Sequence, residues 1–79
     1  MKPTLGRIVI YHTTEDEREE MRLNPECNVQ EELPAIIVAV WSNECVNLKV
    51  ICDGNIELWK TSVHKGIGEY NWSWPEIKK

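Results

Sequence analysis

The feature that most constrains the fold is a run of apolar residues in the middle of the chain. Residues 35–41 read Ala-Ile-Ile-Val-Ala-Val-Trp and follow directly after Pro34. A short apolar run that is rich in β-branched residues is typical of a strand covered on both faces. Such a strand needs neighbours, so the rest of the chain must supply a sheet that curves around it.

Four other segments have the patterns of neighbouring strands. Residues 45–52 alternate between a predicted core face and a surface face that carries Asn47 and Lys49. The dipeptide Asp53-Gly54 favours a hairpin turn, which returns the chain through residues 56–60. Residues 5–11 are predicted as the first strand, and the tail 70–75 is predicted to close the sheet, with a short turn of helix expected at residues 61–63.

Together these patterns predict a mainly β fold, a small SH3-like five-stranded antiparallel barrel formed by one domain over residues 1–79. Residues 13–33 are an acidic insert in the first long loop. Within the insert, Thr14 and Glu17 have the spacing of a capping box, which predicts a short, loosely docked helix over residues 14–23. Because 79 residues bury only a small core, we also expect a homo-oligomer.

Charge and hydropathy exclude several classes of partner. The formal net charge is −4, and the acidic side chains are concentrated between Glu15 and Glu32. Duplex DNA requires a broad basic face, which this pattern does not provide. The sequence has no signal-peptide pattern and no apolar run near the roughly 20 residues that span a bilayer. We therefore expect no membrane partner and a location in the cytoplasm of a host cell.

The residues that usually carry catalysis or bind metals are few and scattered. The three cysteines lack a Cys-x-x-Cys motif, and Cys27 is the one expected to be exposed in a loop. Ser62 and His64 lie close together in sequence but lack a third orienting group, and His12 has no neighbour that suggests a triad. The sequence therefore predicts a protein that is not an enzyme and that uses no metal or cofactor.

The aromatic composition indicates a binding surface instead. The chain has four Trp and no Phe, and Trp suits positions that are half buried and half in contact with a ligand. Trp41 and Trp59 are equally compatible with a core position. A small anionic, nucleotide-like ligand is expected to stack its base on Trp59 or Trp72. Its phosphates are expected to bind Arg7, Lys49 and Lys65, and its polar edges to meet Asn47 and Thr61.

The chain also resembles a family of small uncharacterised proteins encoded by bacteriophages and prophages. The resemblance lies in the segments PAIIVAVWS (34–42), CVNLKV (45–50), DG (53–54), LWKTSV (58–63) and WSWPE (72–76). It implies a phage-type protein with an SH3-like barrel but carries no catalytic residues across. By analogy with short phage proteins that neutralise host factors, it implies a role against host defence.

Two functional hypotheses follow. In the first, the protein binds and sequesters a small nucleotide-like immune signal without catalysis, through the ligand residues named above. In the second, it is an SH3-like interaction module that inhibits a host protein or serves a virion partner. The second hypothesis uses a groove lined by Trp41, Trp72 and Trp74, with Glu17 and Glu20 of the acidic helix as docking residues.

Overall fold

Five strands pair in a closed ring, with one short helix inserted between the first two. The computed structural model describes residues 2–76. Its elements, in chain order, are β1 (Ile8–His12), α1 (Glu15–Leu23), β2 (Glu32–Val40), β3 (Cys45–Ile51), β4 (Glu57–Lys65) and β5 (Asn71–Ser73).

The strand order around the barrel is β1-β2-β3-β4-β5, and β5 closes the ring on β1. The predicted mainly β, five-stranded SH3-like barrel with one short helix is confirmed. Four of the five pairings are antiparallel, as predicted, but β4 and β5 pair in parallel through His64↔Asn71 and Lys65↔Trp72. The connection between these two strands is the loop 66–70, which is shorter than the crossover of about a dozen residues that usually joins parallel strands.

The core occupies the barrel interior and takes one side of every strand. Alternation predicted Val46, Leu48 and Val50 as core residues of β3, and each is fully buried. The largest fully buried side chains are Trp72 and Tyr11. The chain has no Phe, so Trp and Tyr are the aromatic residues of its core. The interior is therefore packed by apolar side chains from β1 to β5.

Two bulges interrupt the ladders. The β2–β3 register shifts between Ile37 and Ala39, and the β3–β4 register shifts where Asn47 faces Thr61 and Ser62. Ser62 has a φ of 54°, a left-handed conformation that is typical of a bulge. The predicted helical turn at residues 61–63 is therefore wrong: β4 continues as a strand to Lys65.

The acidic helix has the predicted capping box. The Thr14 hydroxyl accepts a hydrogen bond from the Glu17 amide, and the Glu17 carboxylate accepts one from the Thr14 amide. The helix is docked rather than loose, since Met21 and Glu17 are both buried. Cys27, which follows the helix, is also buried, so its predicted exposure is wrong.

Gly54 explains the burial of Cys27. The two residues form an isolated antiparallel bridge, and a Cβ added to Gly54 would lie 2.6 Å from the Cys27 Cα. Only glycine allows such a close approach between the two backbones. The loop after α1 is in this way fixed against the β3–β4 turn.

Candidate functional site: the outer β face

One row of side chains crosses the outside of four strands. Direct pairing links Ile8 to Ile36, Ile36 to Lys49, and Lys49 to Trp59. Ile8 is 48% exposed and Trp59 is 59% exposed, while Ile36 is half-buried between them. The row therefore presents apolar surface to solvent with a single ammonium group, that of Lys49, within it.

A second exposed tryptophan lies beside this row. Trp41 is 64% exposed, and its indole Nε1 donates a hydrogen bond of 2.9 Å to the Asn47 Oδ1. The same oxygen accepts a bond of 2.8 Å from the Ser62 amide. Asn47 is therefore buried, so its predicted position on the surface is wrong. Its role is to fix the Trp41 ring and the β4 bulge.

The exposed Thr61 completes this surface, two residues along β4 from Trp59. We call the surface the outer β face and define it by the residues Ile8, Ile36, Trp41, Lys49, Trp59 and Thr61, together with the buried Asn47 that binds Trp41. Strand register spaces residues two apart by about 6.6 Å, so Asn47, Lys49 and their cross-strand neighbours are adjacent. The open alternative that Trp41 and Trp59 form the core is excluded by their exposure.

Three predicted ligand residues are buried, stacked on another ring or distant from Trp59. Trp72 is fully buried, so neither face of its ring is open to a ligand, and its Nε1 donates to the Glu44 carbonyl. The Arg7 guanidinium lies over the Trp74 ring, 5.5 Å from its centroid. Lys65 follows Trp59 by six residues on β4, which corresponds to about 20 Å. The predicted set of phosphate-binding cations is thus not assembled on one surface.

The groove predicted for the interaction module is not formed as expected either. Trp74 is half-buried, and its ring meets the edge of Trp72 at a centroid distance of 5.1 Å. Trp41 is on the outer β face, whereas the buried Trp72 has no surface to contribute. Of the three tryptophans, only Trp41 therefore offers a broad exposed ring.

The two predicted docking acids have different environments. Glu20 is exposed on α1, whereas Glu17 is buried against the barrel. The Glu17 carboxylate accepts hydrogen bonds from the Tyr11 hydroxyl at 3.0 and 2.9 Å and lies 2.5 Å from the Lys60 Nζ. Glu17 is therefore used inside the fold and is not available for docking.

These buried contacts shift the pKa values of Glu17 and Tyr11. Burial acts to raise the pKa of Glu17, but hydrogen bonds from Lys60, the Thr14 amide and Tyr11 outweigh it, so the pKa lies below its usual value. Burial, and then the bond to Glu17, raises the pKa of the Tyr11 hydroxyl. The carboxylate and the neutral phenol are the favoured states.

The same contacts also separate α1 from the outer β face. Lys60 and Trp59 are successive residues of β4, so their side chains leave opposite sides of the strand. Since α1 binds Lys60 through Glu17, the acidic helix lies on the other side of β4 from Trp59. The charge near Trp59 is therefore not that of the helix. It comes from Lys49, which pairs with Trp59, and from Glu57, which lies two residues before Trp59 on the same side of β4.

Among residues 2–76, no group of three His, Cys, Asp or Glu side chains is placed to hold a metal ion. Within the same residues, no helix is both long and apolar enough to cross a bilayer. No protein-family model, curated protein or solved structure matches the chain. The class defined by the fold and site is a small β-barrel with an exposed aromatic face.

Proposed function

We propose that this chain is a binding protein that uses the outer β face to contact an apolar segment of another protein. The observation that carries the proposal is the exposure of Trp41 and Trp59 on one face of a closed barrel. Trp is enriched at the energetic centres of protein interfaces, and monomeric proteins rarely expose large contiguous apolar patches.

The charge of the surface defines the partner further. Lys49 lies between Ile36 and Trp59 and makes no ion pair with any residue of the described chain. A partner that places a carboxylate at Lys49 and apolar side chains beside it complements this arrangement. With the phage resemblance, the proposed partner is a host protein whose defence function is blocked, or a virion protein.

The test compares two matched substitutions of exposed apolar residues. Trp59 is 59% exposed and Ile67 is 87% exposed, so Trp59→Ser and Ile67→Ser both leave the core intact. Wild type and both variants are immobilised and exposed to host-cell lysate. We expect one protein to be retained by wild type and Ile67→Ser and lost from Trp59→Ser, because truncating a Trp at the energetic centre of an interface costs about 2 kcal/mol or more. Equal retention by all three proteins contradicts the proposal.

A second candidate function is the capture of a small nucleotide-type ligand, favoured by the direct pairing of Lys49 with Trp59. A base stacked on the Trp59 ring contributes about 1–3 kcal/mol, and Lys49 meets one phosphate. Arg7 lies over the Trp74 ring and Lys65 is six residues along β4 from Trp59, so Lys49 is the one predicted cation beside the Trp59 ring. The ligand expected at Trp59 therefore carries one phosphate group near the ring rather than a polyphosphate chain.

A thermal-shift panel tests this second function. Cyclic nucleotides, ADP-ribose derivatives and ordinary nucleotides are added to wild type, Trp59→Ser and Ile67→Ser. A ligand at 100 times its dissociation constant raises the free energy of unfolding by about 2.7 kcal/mol. The hypothesis requires a shift in wild type and Ile67→Ser that Trp59→Ser loses. A panel without shifts contradicts it.

A further inference from the structure

Three strands bring a serine, a histidine and a glutamate together at one groove. The His12 Nε2 lies 2.8 Å from the Ser73 Oγ, and the His12 Nδ1 lies 3.6 Å from the Glu32 Oε2. The β1–β2 register places His12 directly opposite Glu32. In the β1–β5 register His12 faces Asn71, so Ser73 lies two positions along β5 from the residue opposite His12. These contacts give each imidazole nitrogen a different partner.

The three side chains supply the groups that nucleophilic catalysis requires, which are a nucleophile, a general base and a group that orients the base. A serine becomes a nucleophile when a neighbouring base accepts its proton, and the base needs a third group to fix its tautomer. Ser73 touches one nitrogen of His12, and Glu32 faces the other. The Glu32 side chain is 65% exposed, so it is free to close the 3.6 Å separation, and such bonds are often long before substrate binds.

The groove is open and large enough for a small substrate. Its volume is about 290 Å³, and Ser73, His12 and Glu32 line it together with the apolar side chains of Ile10 and Trp74. The His12 side chain is 13% exposed, which shields it from bulk water without closing it off. An acyl group therefore has an apolar wall beside the Ser73 hydroxyl.

Backbone donors are available next to this groove. The loop that carries Ile67 and Gly68 lines an adjoining cavity shared with His12 and Glu32. Within the described chain, the amides of Ile67 and Gly68 make no hydrogen bond. Unpaired amides beside a nucleophile are the groups that stabilise the oxyanion of acyl transfer.

From this geometry we infer that Ser73, His12 and Glu32 form a site for acyl-ester hydrolysis, in addition to the binding role of the outer β face. Ser73 Oγ attacks the carbonyl carbon while the His12 Nε2 takes its proton. The proton then passes to the leaving alkoxide as the ester C–O bond breaks, which releases an alcohol. Water, deprotonated by His12, attacks the acyl-Ser73 ester, releases the carboxylic acid and restores the serine. Glu32 is a positioning residue.

The charges around the groove define the class of substrate. Glu76 lines the groove itself, and Glu31 and Glu69 line the adjoining cavity, which also contains Arg18. The Arg18 side chain is held by the Thr13 carbonyl and by Glu69, so it is already neutralised. An uncharged or cationic acyl ester fits these surroundings, whereas a phosphate ester is repelled.

Covalent labelling with a fluorophosphonate probe tests the nucleophile directly. We expect mass spectrometry of the intact chain to find one adduct, and peptide mapping to place it on Ser73. Ser73→Ala should abolish the adduct, whereas Ser42→Ala, at an exposed serine outside the groove, should not. His12→Gln keeps a side chain that can contact Ser73 and should slow labelling by about 100-fold. Circular dichroism checks that each variant is folded.

Turnover of p-nitrophenyl acetate tests the role of Glu32. Glu32→Gln should lower kcat with KM unchanged, and Glu32→Asp should restore part of kcat, because only a carboxylate stabilises the imidazolium. Labelling of several serines, labelling at equal rates in wild type and folded His12→Gln, or no labelling overturns the inference. An unchanged kcat in Glu32→Gln removes Glu32 from the site. None of these outcomes bears on binding through Trp59.

Discussion

The substitution Glu17→Gln removes one charge from the most deeply buried ion pair of the described chain. The Glu17 side chain is 10% exposed and that of Lys60 is 21% exposed, so solvent screens the pair poorly. Glutamine keeps the shape of glutamate and still serves in a capping box, and its amide oxygen still accepts from the Tyr11 hydroxyl. The main change is that the Lys60 ammonium loses its counter-charge.

The expected cost follows from that loss. Removing one partner of a buried pair costs about 3–5 kcal/mol, and the partial exposure of Lys60 favours the lower end, about 3 kcal/mol. A chain of this size has a total free energy of unfolding of about 4–12 kcal/mol, so the effect is a large share of the total. The corresponding fall in Tm is about 12–24 °C.

Urea unfolding followed by Trp emission measures the effect, with all proteins at one concentration. Glu20→Gln, on the exposed side of the same helix, is the matched control and should change stability by less than about 0.5 kcal/mol. The double variant Glu17→Gln/Lys60→Met should recover most of the loss because no unpaired charge is left. A loss below about 0.5 kcal/mol in Glu17→Gln refutes the reasoning.

Three further predictions concern packing and pH. Met21→Ala should cost about 2–5 kcal/mol in urea unfolding because the side chain is 1% exposed, whereas Leu23→Ala, at 83% exposure, should be nearly neutral. Gly54→Ala should lower Tm, since the added Cβ would overlap the Glu26 carbonyl oxygen; an unchanged Tm would contradict this close approach. Because the pKa of Tyr11 is raised in the folded chain, its hydroxyl stabilises the fold fully below about pH 10, which is the pKa of tyrosine in the unfolded chain. This stabilisation is lost as the pH rises further. From pH 8 upwards, the free energy of unfolding should therefore fall less in Tyr11→Phe than in wild type. Parallel pH profiles of the two proteins would contradict the role given to the Tyr11 hydroxyl.

Local patterns predicted the elements because the forces behind them are local. The capping box at Thr14 and Glu17 joins groups three residues apart, and the alternation of β3 follows from the geometry of a single strand. Tertiary contacts are not visible in such patterns. Alternation places Asn47 on the outer side of β3, yet hydrogen bonds from Trp41 and Ser62 bury it there.

The candidate sites depend on register, which the sequence specifies only indirectly. Trp59 and Lys49 meet because β3 and β4 pair as a hairpin, so their proximity was predictable from the Asp53-Gly54 turn. His12, Glu32 and Ser73 come from three strands, and no sequence spacing relates them. Their assembly requires the β1–β5 pairing, which joins opposite ends of the chain. The nucleotide-binding hypothesis and the phage origin stay predictions.

Closure of the barrel by its last strand also determines how the chain can fold. Ile10 pairs with Ser73, and β5 consists of only three residues, so sealing the barrel depends on a contact between distant parts of the chain. Folds dominated by such non-local pairs form in milliseconds to seconds, because the entropy of loop closure is lost before the contact forms. During synthesis on the ribosome, β1 to β4 must remain an open sheet until Trp72 emerges. Closure of the barrel therefore has to wait for β5, the last strand of the described chain.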